Sequence, residues 1–144
     1  MNTADATLDR NGLEVLSYEE CVSLLARAPV GRLGVSSDAL PVVLPVNYVV
    51  DGDRIVVRTN PGTKLDAALR NAVVAFEVDH YDPVAHTGWS VLVTGRATVI
   101  DDQTDIAAVK RLPLRAWGAV PADRFVAISM DLVNGRRIPA GGPG

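Results

Sequence analysis

The chain has 144 residues, 48% of them hydrophobic, with 17 acidic residues against 14 Lys and Arg for a net charge of -3. That is one domain's length with enough apolar side chains for a core, and an acidic balance that argues against broad nucleic-acid binding. A single cysteine, Cys21, excludes an intramolecular disulfide and any CxxC motif. No apolar run reaches the roughly 18 residues of a membrane span and the polar opening resembles no secretory signal, so a cytoplasmic protein with no membrane and no nucleic-acid partner is expected.

Residues 1–12 read as a flexible arm, 13–138 as one domain and 139–144 as a flexible tail. Ser17 followed by Glu20 matches a capping box, with Leu16 and Cys21 placed for a hydrophobic staple. The apolar positions Cys21, Leu24, Leu25 and Ala28 then predict a helix over 18–28, ended by Pro29. The period changes after it. Residues 30–35 read as a strand, 36–38 as a turn and 41–50 as a second strand. Pro45 has no ladder donor, which sets its part of that strand at an edge or an irregularity. Asp51-Gly52 joins the run to a third strand at 54–59, since glycine accepts the positive φ of a tight hairpin.

Asn60-Pro61-Gly62 is a turn leading into a short helix over 63–71. A fourth strand follows at 73–78, then a polar loop at 79–88 holding His80 and His86. The longest strand is expected at 89–100, with Gly95 marking a bend or bulge. A helix start at 101–108, a poorly determined segment at 110–122 with Trp117, a last strand at 124–130 and a turn-rich end from 134 complete the chain. The 22 valines favour strands. Six strands with short turns and one longer helical insertion fit a small β-barrel.

Four groups of residues carry chemical content. Arg58-Thr59-Asn60-Pro61-Gly62-Thr63-Lys64 sets two cations and two hydroxyls around a glycine turn, either a phosphate cradle or a hairpin exit with solvated cations. Val46, Asn47 and Tyr48 offer a strand against which a flat cofactor can lie; alternatively Tyr48 caps the barrel and Asn47 satisfies an irregular strand. Trp89 and Ser90 either cover an aromatic ring or pack a seam. The spacing of His80 and His86 matches no metal motif, so no metal is assigned. Cys21 falls on the buried face of the first helix, and no GxSxG elbow or nucleophile–base pair is present, which leaves the catalytic residues unknown.

Taken in order, Gly31-Arg32-Leu33-Gly34, Pro45-Val46-Asn47-Tyr48, Asp51-Gly52, Arg58-Thr59, Gly62 and Lys64 resemble the flavin-binding split-barrel proteins. Phe76-Glu77-Val78-Asp79, Gly88-Trp89-Ser90-Val91 and Gly95-Arg96-Ala97 extend the likeness over about residues 14–138. The resemblance is to the small branch of the pyridoxamine 5'-phosphate oxidase-like superfamily that includes nitroimidazole-resistance-type reductases. It implies a mainly β, six-stranded split β-barrel with short peripheral helices, forming a homodimer with FMN at the subunit interface. A deazaflavin coenzyme is the alternative cofactor. Val46, Asn47 and Tyr48 would lie beside the ring system, Arg58, Thr59 and Lys64 would face the phosphate, and Trp89 and Ser90 would belong to the ring region or to the partner's contribution. Arg32 is a candidate at the substrate opening. The chain departs from pyridoxamine phosphate oxidase itself in lacking a C-terminal Trp and Arg arrangement for that substrate, so the fold and cofactor carry over and that reaction does not. The expected function is a flavin-dependent oxidoreductase transferring hydride to a small organic redox substrate. The alternative is a non-catalytic flavin, deazaflavin or haem-related binding protein acting as carrier or sensor.

Overall fold

Ser17 opens the first helix as its spacing predicts: its hydroxyl accepts the Glu20 backbone N–H at 3.2 Å. The computed structural model describes residues 7–115 and 124–140. In chain order its elements are β1 (Glu14–Val15), α1 (Tyr18–Arg27), β2 (Gly31–Ser37), β3 (Leu40–Val46), β4 (Tyr48–Asp51), β5 (Arg54–Thr59), α2 (Lys64–Ala68), β6 (Val73–Asp82), β7 (Thr87–Val99), α3 (Gln103–Val109), β8 (Arg124–Ser129) and β9 (Leu132–Arg137). α1 and α2 end earlier than expected, α3 starts two residues later and ends one later, and part of the segment at 110–122, with Trp117, lies outside the described residues.

The strands form a mainly β, curled antiparallel half-barrel of seven strands in the order β3-β2-β6-β7-β8-β5-β4, with short helices around it. Six strands were expected because 41–50 reads as one apolar run. It breaks at Asn47: β3 pairs with β2, whereas β4 pairs with β5. The two edges of the path are thus neighbours in sequence, joined through one polar residue. Pro45 sits on β3, an end strand of the path, where a missing donor is tolerated.

Two other expectations change. The loop expected at 79–88 is mostly ladder, since β6 and β7 pair from Val73↔Arg96 out to Asp82↔Thr87. This arm projects from the barrel, so its residues need no apolar alternation and read as loop. The turn-rich end expected from Asn134 contains β9, which pairs with β7 and β1. Gly135 suggested a turn, but its lack of a side chain serves packing. A Cβ there would collide with the Cys21 sulfur and with Leu16. At the other end of the chain, Asp9 accepts the Asn11 and Leu13 N–H groups and pairs with Arg136 at 2.8 Å, so the described part of the N-terminal arm is held by β9.

Alternate residues of each strand fill the interior. Leu33, Ile55, Phe76, Val91, Val93 and Ile128 are fully buried there, with Leu25 of α1 closing one end. A second cluster lies on the opposite face of β5 and β8, where Val56 and Phe125 meet Val109 and Leu114 beneath α3. β7 serves both halves. Along one edge it pairs with β9 at 89–94 and with β8 at 97–99. Gly95 stands at the change, where a Cβ would strike the Ser129 carbonyl, so the predicted bend is a point of close backbone approach.

Candidate functional site

The turn at 60–63 is built from beneath by a residue the sequence reading passed over. Asp66 is 1% exposed. Its carboxylate accepts the Thr59 hydroxyl at 3.0 Å, the Gly62 N–H at 3.1 Å and the Arg124 guanidinium at 2.7 Å. The Asp66 N–H in turn donates to Thr63 Oγ1 at 3.1 Å, which caps α2. Burial pulls the carboxyl's pKa upward, but the Gly62, Thr59 and Arg124 donors outweigh it and hold it below the ordinary aspartate value. Gly62 takes a φ of +84°, which fits glycine at the bend. Thr63-x-x-Asp66 has the spacing of a capping motif, and that signal could have found Asp66.

This construction narrows what the turn offers a ligand. The Thr59 side chain is buried and donates to Asp66, and the Gly62 N–H is likewise occupied. α2 has only five residues, too short for a substantial dipole. Lys64 remains exposed at its start. Beside it, Asn60 Oδ1 is buried and has no hydrogen-bond partner among the described residues. Arg58 follows the opposite phase of β5 from Thr59. Its guanidinium donates to the Leu114 carbonyl at 3.2 Å and lies 4.9 Å from the Phe125 ring centre. Asn47 reaches the same segment, donating to the Arg115 carbonyl at 2.7 Å. Asn47 and Arg58 therefore converge on 114–115, while Thr59 converges with Asp66.

Val46 is half-buried against the main core. The Tyr48 side chain is buried in that core, with its ring edge-on to Phe76 and its hydroxyl donating to the Leu25 and Ala28 carbonyls at the end of α1. Burial pushes its pKa up to about 12. Of the two roles open for Tyr48, the side chain takes the barrel-capping one. Tyr48→Phe is expected to destabilise the fold by about 1–3 kcal/mol, because two helix-end carbonyls lose a buried donor. Thermal melting checks this, and an unchanged melting temperature would refute it.

Trp89 and Ser90 stand opposite His80 and Asp79 on β6, and opposite Arg137 and Arg136 on β9. They line a cleft of about 190 Å³ that also includes Tyr81 and Ile138. Both arginines have carboxylate partners, Arg136 with Asp9 and Arg137 with Glu20 at 3.1 Å. His86 lies in the turn of the arm with a φ of 54°. Arg32 is elsewhere on the sheet, donating to Asp79 at 3.3 Å and standing 3.5 Å from Glu77. With Gly34, Val43 and Ala75 they line a cleft of about 290 Å³. Burial and the neighbouring Asp79 push the Glu77 pKa up to about 7, against the opposing pull of Arg32. In the sequence Glu77 stands out only as part of the Phe76-Glu77-Val78-Asp79 motif.

The profile of the pyridoxamine 5'-phosphate oxidase family matches residues 17–137, which span every element from α1 to β9. The chain belongs to the pyridoxamine 5'-phosphate oxidase-like split-barrel superfamily. An uncharacterized protein of Mycobacterium tuberculosis is 40% identical over 130 residues, covering 87% of this chain and 85% of that one. Among solved structures, the FAD binding protein from Mycobacterium smegmatis is 34% identical with a TM-score of 0.74, over 87% of this chain and 97% of that chain. A FAD-binding protein from Mesorhizobium loti is 27% identical with a TM-score of 0.72, over 87% and 96%. No helix among the described residues is long and apolar enough to cross a membrane.

Proposed function

We propose that this split-barrel protein is a flavin-dependent oxidoreductase, working as a homodimer on a small organic acceptor. FMN is the proposed cofactor, with a deazaflavin coenzyme as the alternative. The observation that carries the reading is Asn60, a buried carboxamide oxygen without a partner among the described residues, in the rigid turn that ends at Lys64. A phosphorylated polyol chain supplies what both residues lack: a hydroxyl for Asn60 Oδ1 and a phosphate for the Lys64 ammonium. The FAD binding named for the smegmatis and loti relatives supports a flavin as the cofactor class.

When bound, the flavin supplies hydride transfer, and the protein supplies position and polarity. Lys64 and Arg58 neutralise the phosphate end, while the Val46–Tyr48 backbone faces the ring. Trp89 and Ser90 cover the ring region, and Arg32 lies toward the substrate opening. No side chain is assigned as nucleophile or proton donor. The second subunit covers the outer face of β3, β2, β6, β7 and β9, where Val43, Val73, Leu92 and Leu132 are exposed, since large apolar patches of this kind mark interaction surfaces.

The test is the visible absorption spectrum of the protein as purified, followed by titration of the apo-protein with FMN, FAD and a deazaflavin coenzyme. Saturable binding of a phosphorylated flavin or deazaflavin, with reduction by a donor and reoxidation by an organic acceptor, is the expected result. Tight binding with no turnover would make the protein a carrier or sensor. Failure to bind any of the three would overturn the reading.

A further inference from the structure

The outer face of the sheet carries an apolar patch with a charged group set into it. Along one ladder row the side chains are Val43, Gly34, Ala75, Thr94 and Leu132, in continuous register across five strands. The next row runs Pro45, Arg32, Glu77, Leu92 and Asn134. Asp79 follows Glu77 on the same face of β6, so two carboxyls and one guanidinium form a compact trio beside the apolar patch. Arg32 sits between them, 3.5 Å from Glu77 and 3.3 Å from Asp79. Its hydrogen bond goes to Asp79, and Glu77 Oε1 is buried with no hydrogen-bond partner among the described residues.

Among the described residues no second cation is paired with this trio, although Arg136 shares a cleft with Asp79. Alongside it β3 presents Val43 and Pro45, and β7 presents Leu92 and Ser90. The two further cations of this face are directed elsewhere: Arg96 of β7 donates to the Asn71 carbonyl, and Arg136 of β9 donates to Asp9. His80 has the opposite strand phase from Glu77 and Asp79. With both carboxyls ionised the trio carries one excess negative charge; with one proton added it is neutral.

We propose that covering this face with a second copy of the chain is coupled to proton uptake at the Glu77–Asp79 pair. The inference rests on the homodimer proposed above. Each trio carries both signs, so the Arg32 of one copy can pair with a carboxyl of the other within the apolar surround. Two trios bring two guanidinium groups and four carboxyls into the seam. Whether the ion pairs form within copies or across them, two negative charges remain in excess, and burying unbalanced charge is unfavourable. One proton per copy removes the excess. Burial and Asp79 already hold Glu77 half-protonated near neutrality in the isolated chain, so the proton is available there. Removing water shifts the equilibrium further toward the protonated acid. The sign follows by linkage: the dimer binds more protons than two free chains, so association weakens as the pH rises through about 7.

The experiment is sedimentation equilibrium of the full chain from pH 5.5 to 8.5 at constant ionic strength, for the wild type, Glu77→Gln and Asp79→Asn. For the wild type the dimer dissociation constant is expected to rise above neutrality, by at most about a hundredfold per pH unit for two protons. Either substitution leaves each trio neutral without an added proton, so both variants are expected to dimerise with little pH dependence. Asp79→Asn keeps the test available if Glu77→Gln does not fold. A wild-type constant that stays level, or a slope that survives both substitutions, overturns the proton coupling and leaves the dimer standing. A chain that is monomeric throughout overturns the dimer and the coupling with it.

Discussion

Asp66→Ala is expected to lower the unfolding free energy by about 3–5 kcal/mol, the range for removing one member of a buried ion pair. Arg124 would keep its charge beside the gap, while the Thr59 hydroxyl and the Gly62 N–H would lose their acceptor. Because this carboxyl is held below its ordinary pKa in the folded protein, the stability it gives is full above the unfolded-state value of about 4. It is lost as the pH falls through and below that value. Wild-type melting temperatures should therefore drop steeply below about pH 4, and the variant should show a lower melting temperature at pH 7 with a shallower acid limb. Calorimetry at pH 7 and pH 3 measures both. Equal melting temperatures for the two proteins at pH 7 would show that the turn stands without Asp66.

Lys64→Ala is expected to weaken FMN by about ten- to a hundredfold, since a charge-assisted hydrogen bond contributes about 1.5–3 kcal/mol. Riboflavin, which has the same ring and ribityl chain without the phosphate, should lose little. The comparison isolates the charge at the end of the cofactor. Lys64 is exposed and is the first residue of α2, so its removal disturbs no core packing and the fold should keep its melting temperature. Flavin fluorescence quenching reads both affinities. If riboflavin and FMN weakened equally, Lys64 would have no particular relation to phosphate.

The strands that alternate apolar and polar residues were legible in the sequence because one face of each is buried. β6 has this character up to Val78, whereas β5 and β8 read as strands from apolar runs that are buried on both faces, and the Asp51-Gly52 turn fixes its hairpin locally. What escaped is structure held by the ladder rather than by burial. The outer arm of β6 and β7 reads as a polar loop, and β9 contains a glycine whose reason is the approach of Cys21 from a distant helix. At the candidate site, Lys64 and the glycine turn were visible as a local string. Of their support only the Thr63-x-x-Asp66 spacing is local; the Arg124 partner that balances the buried carboxylate lies 58 positions away. Tyr48 shows the converse: its neighbours in sequence suggest a ligand-facing residue, but α1 offers its hydroxyl two carbonyls.

Pro41 and Pro45 of β3 lie opposite Ser36 and Arg32 of β2. Neither can donate to β2, so at both positions the chain turns its donor side outward, and there the donor is missing. An extended peptide drifting against this rim finds N–H groups absent at two places four residues apart. It cannot zip on as an additional strand. Two imino acids thus guard the protein against fibre-like growth along β3, and they do so without placing any charge there.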